Sequence, residues 1–210
     1  MDPQLGYVGN IKKGIIPKTA GEIGAKIYQK IIDSSTDLKS IISNDGPFSA
    51  YYHSVARYWI KAYNFVPYFK RENEPDPDKS TKLKELRFDN ELDKNIFLLL
   101  VNSSLFYYWW IVVSDEFDVL ISEIKQFSFP YNKFCENPEK INNLVRRLME
   151  DYKKNSVRRK SKAGGREIIY DVFYPRYSLD VIGEIDRLIA ELYSFSIDEE
   201  KFIESYDHEF

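Results

Sequence analysis

An α+β fold is predicted for this 210-residue chain by three features. Stripes of helical spacing are interspersed with short segments of period two, and no βαβ rhythm links them. One stretch, residues 96–113 (Ile-Phe-Leu-Leu-Leu-Val-Asn-Ser-Ser-Leu-Phe-Tyr-Tyr-Trp-Trp-Ile-Val-Val), is apolar almost all round. The architecture expected is a small mixed or antiparallel sheet packed around a central buried hydrophobic helix, with a helical C-terminal segment. Three regions follow: an irregular lead-in over 1–19 from an upstream domain, a core over 20–178, and an acidic helical cap over 179–210.

The apolar stretch defines the centre. A helix hydrophobic on every face belongs in a core or a membrane. Asn102, Ser103 and Ser104 leave no run of about 18 apolar residues, which argues against a membrane span. A helix of roughly 20 residues is expected from Asp89 or Asn90, either of which can cap it. Buried Asn102, Ser103 and Ser104 then need hydrogen-bond partners inside.

Hydrophobic residues make up 43% of the chain, enough for a sizeable core. Cys135 is the only cysteine and no signal-peptide pattern appears, so disulfides play no structural part and a cytoplasmic home is expected. With only His53 and His208 beside it, no closed Cys/His zinc site assembles. The net charge of −3 hides an asymmetry: residues 179–210 carry ten acidic and two basic side chains, leaving five basic residues in excess over 1–178. An anionic partner is therefore open to the larger part.

In chain order, the Gly- and Pro-containing opening reads as irregular chain, as if cut from something longer. Thr19 and Glu22 form a capping-box pattern before Ile23, Ile27 and Ile31, a helix that fades near Ser43. Asn44, Asp45, Gly46 and Pro47 form a turn. Residues 48–69 read as two strands ending at Pro67, one face carrying Arg57, Trp59, Lys61 and Tyr63. That face suits a solvated sheet with cross-strand aromatic pairs, or a nucleic-acid surface of cations and stacking rings. A charged loop over 71–82 leads to a strand over 84–88. After Val113, Ser114 and Asp115 can cap a short helix through Ile124. Pro138 opens a helix to about Lys154, with Ile141, Leu144, Val145 and Leu148 on one stripe.

The chain then turns basic: Lys153, Lys154, Arg158, Arg159, Lys160, Lys162 and Arg166, around Gly164 and Gly165. The stretch reads as a mobile loop, either merely solvated or a phosphate-gripping arm. A strand over 168–174, a helix capped by Ser178 and a last acidic helix over 197–210 complete the reading. No phosphate-cradling glycine loop and no serine-hydrolase elbow is present. Asp115, Asp118, Glu123 and Lys125 loosely match a metal-dependent nuclease pattern, although in a helix-like segment.

Several segments, in order, resemble the C-terminal region of adenine-specific DNA methyltransferases of type II restriction–modification systems, including fused restriction–methylation enzymes. They are Arg57-Tyr58-Trp59-Ile60-Lys61 through Pro67-Tyr68-Phe69, then Asn102-Ser103-Ser104-Leu105-Phe106 with Trp110, Ser114 and Asp115. Phe173-Tyr174-Pro175, Ser178, Glu184-Ile185-Asp186-Arg187-Leu188, Tyr193, Phe195, Phe202-Ile203 and Tyr206-Asp207 follow. Ser194 stands where the pattern leads one to expect glycine. The resemblance implies a target recognition domain that reads double-stranded DNA and holds it against an upstream methyltransferase domain. That domain would bind S-adenosylmethionine and methylate a flipped adenine. Neither a cofactor loop nor an Asn-Pro-Pro-Tyr-type tetrapeptide occurs here, since Asn137-Pro138 is followed by Glu139. DNA contacts are expected from Arg57, Trp59, Lys61 and Tyr63 and from Arg158, Arg159, Lys160 and Lys162, with no cofactor, metal or catalytic residue in this chain. The rival readings are a Mg²⁺-dependent nuclease built on the Asp115–Lys125 set and a protein-interaction module using the acidic tail.

Overall fold

Polar side chains at Asn102 and Ser103 bend the centre of the molecule. A computed structural model describes residues 17–19, 21–56 and 59–206. In chain order its elements are α1 (Gly21–Ile32), β1 (Thr36–Asp37), β2 (Phe48–His53), β3 (Ala62–Tyr63), β4 (Phe69–Arg71) and β5 (Leu83–Phe88). There follow α2 (Glu91–Val101), α3 (Ser104–Val113), α4 (Ile121–Gln126), β6 (Ser128–Phe129), α5 (Tyr131–Cys135) and α6 (Pro138–Lys154). The chain closes with β7 (Val157–Ala163), β8 (Arg166–Val172), α7 (Leu179–Tyr193) and α8 (Ile197–Ser205). Helices and small antiparallel sheets segregate, and the fold is α+β.

The single central helix expected from the sequence is in fact two, α2 and α3, bent by 69°. Asn90 caps the first, its side chain accepting from the Asp93 amide at 2.9 Å. Ser103 adopts an extended conformation and its hydroxyl accepts from the Phe106 amide at 3.1 Å, so it starts the second helix as an N-cap. The polar triplet therefore marks a boundary between two helices. No helix among the described residues is long and apolar enough to cross a membrane.

Burial follows from this arrangement. Residues 96–101 of α2 are buried without a break, as are 105–110 of α3. The β3-β2-β5 sheet packs on α2, while α6 packs on α2 and α7 on α3. The acidic helices α7 and α8 contribute Ile182, Ile185, Leu188, Ile189 and Ile203 to the same core. A close approach fixes Gly46 in the turn before β2: a Cβ there would lie 2.1 Å from the Phe88 carbonyl oxygen.

Other segments depart from expectation. The first helix stops at Ile32, and the chain continues through β1 into a 3₁₀ turn, Leu38–Ile41, whose N-cap is Asp37. Ser114 and Asp115 do not start a helix. Their side chains accept from the Glu116 and Phe117 amides and shape a loop, so α4 starts only at Ile121. The basic stretch expected as a mobile loop forms the last turn of α6, then β7, the turn and the start of β8. The lead-in over 1–16 and the tail over 207–210 lie outside the described residues.

Candidate nucleic-acid interface

The hairpin of β7 and β8 is set by its turn. Ala163 pairs with Arg166, leaving Gly164 and Gly165 as a two-residue loop with φ of +58° and +80°. Two successive positive φ values define a type I′ turn, whose twist matches that of paired strands. Glycine adopts them without the Cβ clash that other residues suffer.

Register then sorts the side chains. Arg158, Lys160 and Lys162 share one face with Glu167, Ile169 and Asp171, while Arg159 and Ser161 share the other with Ile168 and Tyr170. Strand β4 pairs with the opposite edge of β8, which leaves β7 as an edge strand. Residues 157–162 are exposed and 167–172 only half-buried, so neither face of this sheet is covered.

The cations divide by their surroundings. The Arg158 guanidinium bonds Asp171 twice, at 2.9 and 3.2 Å, and lies 3.7 Å from the centre of the Tyr68 ring. The Asp171 carboxylate holds Arg158 charged, above the ordinary guanidinium range. Lys160 reaches Glu167 at 3.2 Å. Arg159 lies 5.9 Å from the centre of the Tyr174 ring. Arg176 sits 5.2 and 5.0 Å from the centres of the Tyr174 and Tyr177 rings. Among the described residues, Lys154, Lys162 and Arg166 enter no ion pair. Tyr174, Arg176 and Tyr177 thus adjoin the ribbon, although sequence reasoning did not select them as contacts. The signal available was a Tyr-Pro-Arg-Tyr run beside a basic stretch.

On the other expected surface, the described residues Trp59, Lys61 and Tyr63 do not share one strand face. In this segment Ala62 and Tyr63 pair with β2, and the Lys61 carbonyl accepts one further bond from the His53 amide at 3.1 Å. Trp59 stacks on Tyr107, with centroids 5.2 Å apart, and Lys61 donates to the Trp59 carbonyl at 3.0 Å. Tyr63 is 2% exposed, packed against Phe65, Tyr152 and Phe173, and burial pushes its phenol well up. A buried ring offers no face to a duplex. Arg57 lies outside the described residues. Of the eight expected contacts, the structure brings together Arg158, Arg159, Lys160 and Lys162.

Asp115, Asp118 and Glu123, the acids of the expected Asp115–Lys125 set, form no metal-binding group, although the Glu123 carboxyl, pushed up mainly by burial, also feels the Asp115 charge. Asp115 accepts from the Phe117 amide, Asp118 faces Lys82 at 3.6 Å, and Glu123 accepts from the Leu120 amide at 2.9 Å. Among the described residues no group of three His, Cys, Asp or Glu side chains is placed to hold a metal ion. No family model, curated protein or solved structure matches this chain.

Proposed function

We propose that this chain is the sequence-specific DNA-recognition domain of a restriction–modification adenine methyltransferase. The observation that carries the reading is the β7–β8 ribbon. The hairpin over residues 157–172 carries five cations against two carboxylates, Glu167 and Asp171, and four of the cations lie on an edge strand open on both faces. The major groove of duplex DNA admits a two-stranded ribbon, and its phosphates attract such a charge. A charged edge strand also guards against sheet-to-sheet pairing. The segments resembling the methyltransferase family are the second support.

Roles follow from surroundings. Lys154, Lys162 and Arg166, which enter no ion pair among the described residues, grip phosphates. Arg158, oriented by Asp171 and by the Tyr68 ring, has the fixed planar fork that recognition of a base edge requires. Methyl transfer with S-adenosylmethionine belongs to the catalytic domain of the parent enzyme. The test is selection of bound duplexes from a randomised pool by the purified chain. One enriched short sequence is expected, and Arg158→Ala should relax it at one position, by about 1–3 kcal/mol of discrimination. A bound pool as random as the input would refute sequence recognition.

A further inference from the structure

At the root of the hairpin lies an open cleft of about 620 Å³, between the chain entering β4, the loop at 77–79 and the end of α6. Its volume suits a small ligand. Phe65, Tyr68, Phe69 and Phe173 supply aromatic walls; Tyr68 and Phe69 already carry the Arg158 and Arg71 guanidinium groups, and Phe173 is buried. Two carboxylates reach it, and both are already neutralised: Asp78 by Arg71 and Asp171 by Arg158. Lys153 enters no ion pair among the described residues, and its ammonium lies 4.6 Å from the centre of the Phe65 ring. The cleft therefore combines flat apolar surfaces with an uncompensated positive charge at one rim. Stacking surfaces beside a cation are what a planar heteroaromatic group carrying an adjacent anion requires.

We infer that this cleft receives a nucleotide whose base is unstacked, with the base against the rings and its phosphate at Lys153. The inference rests on the DNA-binding reading of the ribbon, which would deliver a strand to the cleft's mouth. The ligand chemistry is shared by an unpaired residue of a bound strand and by a free nucleotide.

The experiment compares the affinity of the full chain for a blunt duplex and for the same duplex with a short single-stranded thymidine tail. The tail should tighten binding by about fivefold or more, the range base–aromatic stacking supplies. Phe65→Leu, which keeps apolar bulk beside Tyr63 and Phe173, should erase that gain without changing blunt-duplex affinity, and Lys153→Gln, at an exposed position, should erase the gain as well. Lys162→Gln should weaken both duplexes alike. Thymidine 5′-monophosphate separates the sources: competition with the tail assigns the cleft to free nucleotides as well, and its failure assigns it to strands alone. If wild type binds tailed and blunt duplexes equally, and both respond to Lys162→Gln, the cleft proposal falls while the DNA reading stands. If neither duplex binds, the ribbon reading falls and the mononucleotide decides the cleft. Quenching of tyrosine fluorescence that Phe65→Leu removes would sustain it, and no quenching would end it.

Discussion

Asn102 shows how much one buried polar residue organises. It has no exposed surface, and its amide makes four bonds. The oxygen accepts from the Ala62 amide at 3.2 Å and the Tyr152 hydroxyl at 3.0 Å; the nitrogen donates to the Ala62 and Leu98 carbonyls at 3.0 and 2.8 Å. The side chain thereby ties the end of α2 to β3 and α6. Asn102→Ala strands two buried donors, each costing about 1–3 kcal/mol, so urea unfolding should show a loss of about 2–5 kcal/mol. A loss below about 0.5 kcal/mol, the size of a surface change, would contradict this role.

Asp186 is the second such residue. Burial pushes its carboxyl from 3.8 up to about 7, against the opposing effect of bonds from the Ser104 hydroxyl and amide at 2.6 and 2.9 Å. Between those values the folded state holds a proton that the unfolded chain has released, so stability falls as pH rises from about 4 to 7. Carboxylates such as Glu184 and Asp78, held low by Arg147 and by the Lys79 amide with Arg71, slope the opposite way. The informative quantity is therefore the stability of wild type minus that of Asp186→Asn. It should decline by a few kcal/mol across that window. A difference that does not vary with pH would refute the assignment.

At the scale of elements, helix ends separate what could be read from what could not. Asn90 as a cap and Pro138 at the first position of α6 are local signals, and both elements start where those residues place them. Ser103 carries the same kind of signal, but the apolar residues on both sides made one long core helix the simpler reading. The ribbon was missed for another reason. Both its faces meet solvent, so no apolar alternation marks β7, and only the Gly164–Gly165 pair betrays the turn. Around Trp59 the alternation is real, but contact with β2 ends at the bond from the His53 amide to the Lys61 carbonyl at 3.1 Å. On the opposite edge the backbone groups of Ala62 bond the Asn102 side chain instead of another strand.

The end of α7 gives this scale its own test. Ser194 sits in the left-handed region, φ 55° and ψ 49°. Its amide donates to the Glu191 carbonyl at 3.0 Å and that of Phe195 to Ala190 at 2.9 Å, the paired bonds of a Schellman motif. A glycine, the residue the family resemblance leads one to expect, is relieved of the Cβ clash at some cost in unfolded-state entropy. Ser194→Gly should therefore raise stability by about 0.5–1 kcal/mol. A fall in the midpoint of thermal unfolding would contradict it.

Taken whole, the molecule is a helical core with one sheet left uncovered. The β3-β2-β5 sheet packs on α2, whereas the β4-β8-β7 sheet stands open on both sides and carries most of the cations of residues 153–166. The acidic residues of 179–210 lie on α7, α8 and the segment beyond, which keeps the net charge of −3 from describing the ribbon's own field.

The central claim is that the ribbon binds the DNA backbone, and the salt dependence of duplex binding tests it most directly. Each phosphate contact contributes about −0.9 to the slope of log affinity against log salt concentration. For a variant with Lys162 and Arg166 both changed to Gln, the account predicts weaker binding to every duplex and a slope shallower by about two units. A variant that binds with the affinity and slope of wild type would contradict it.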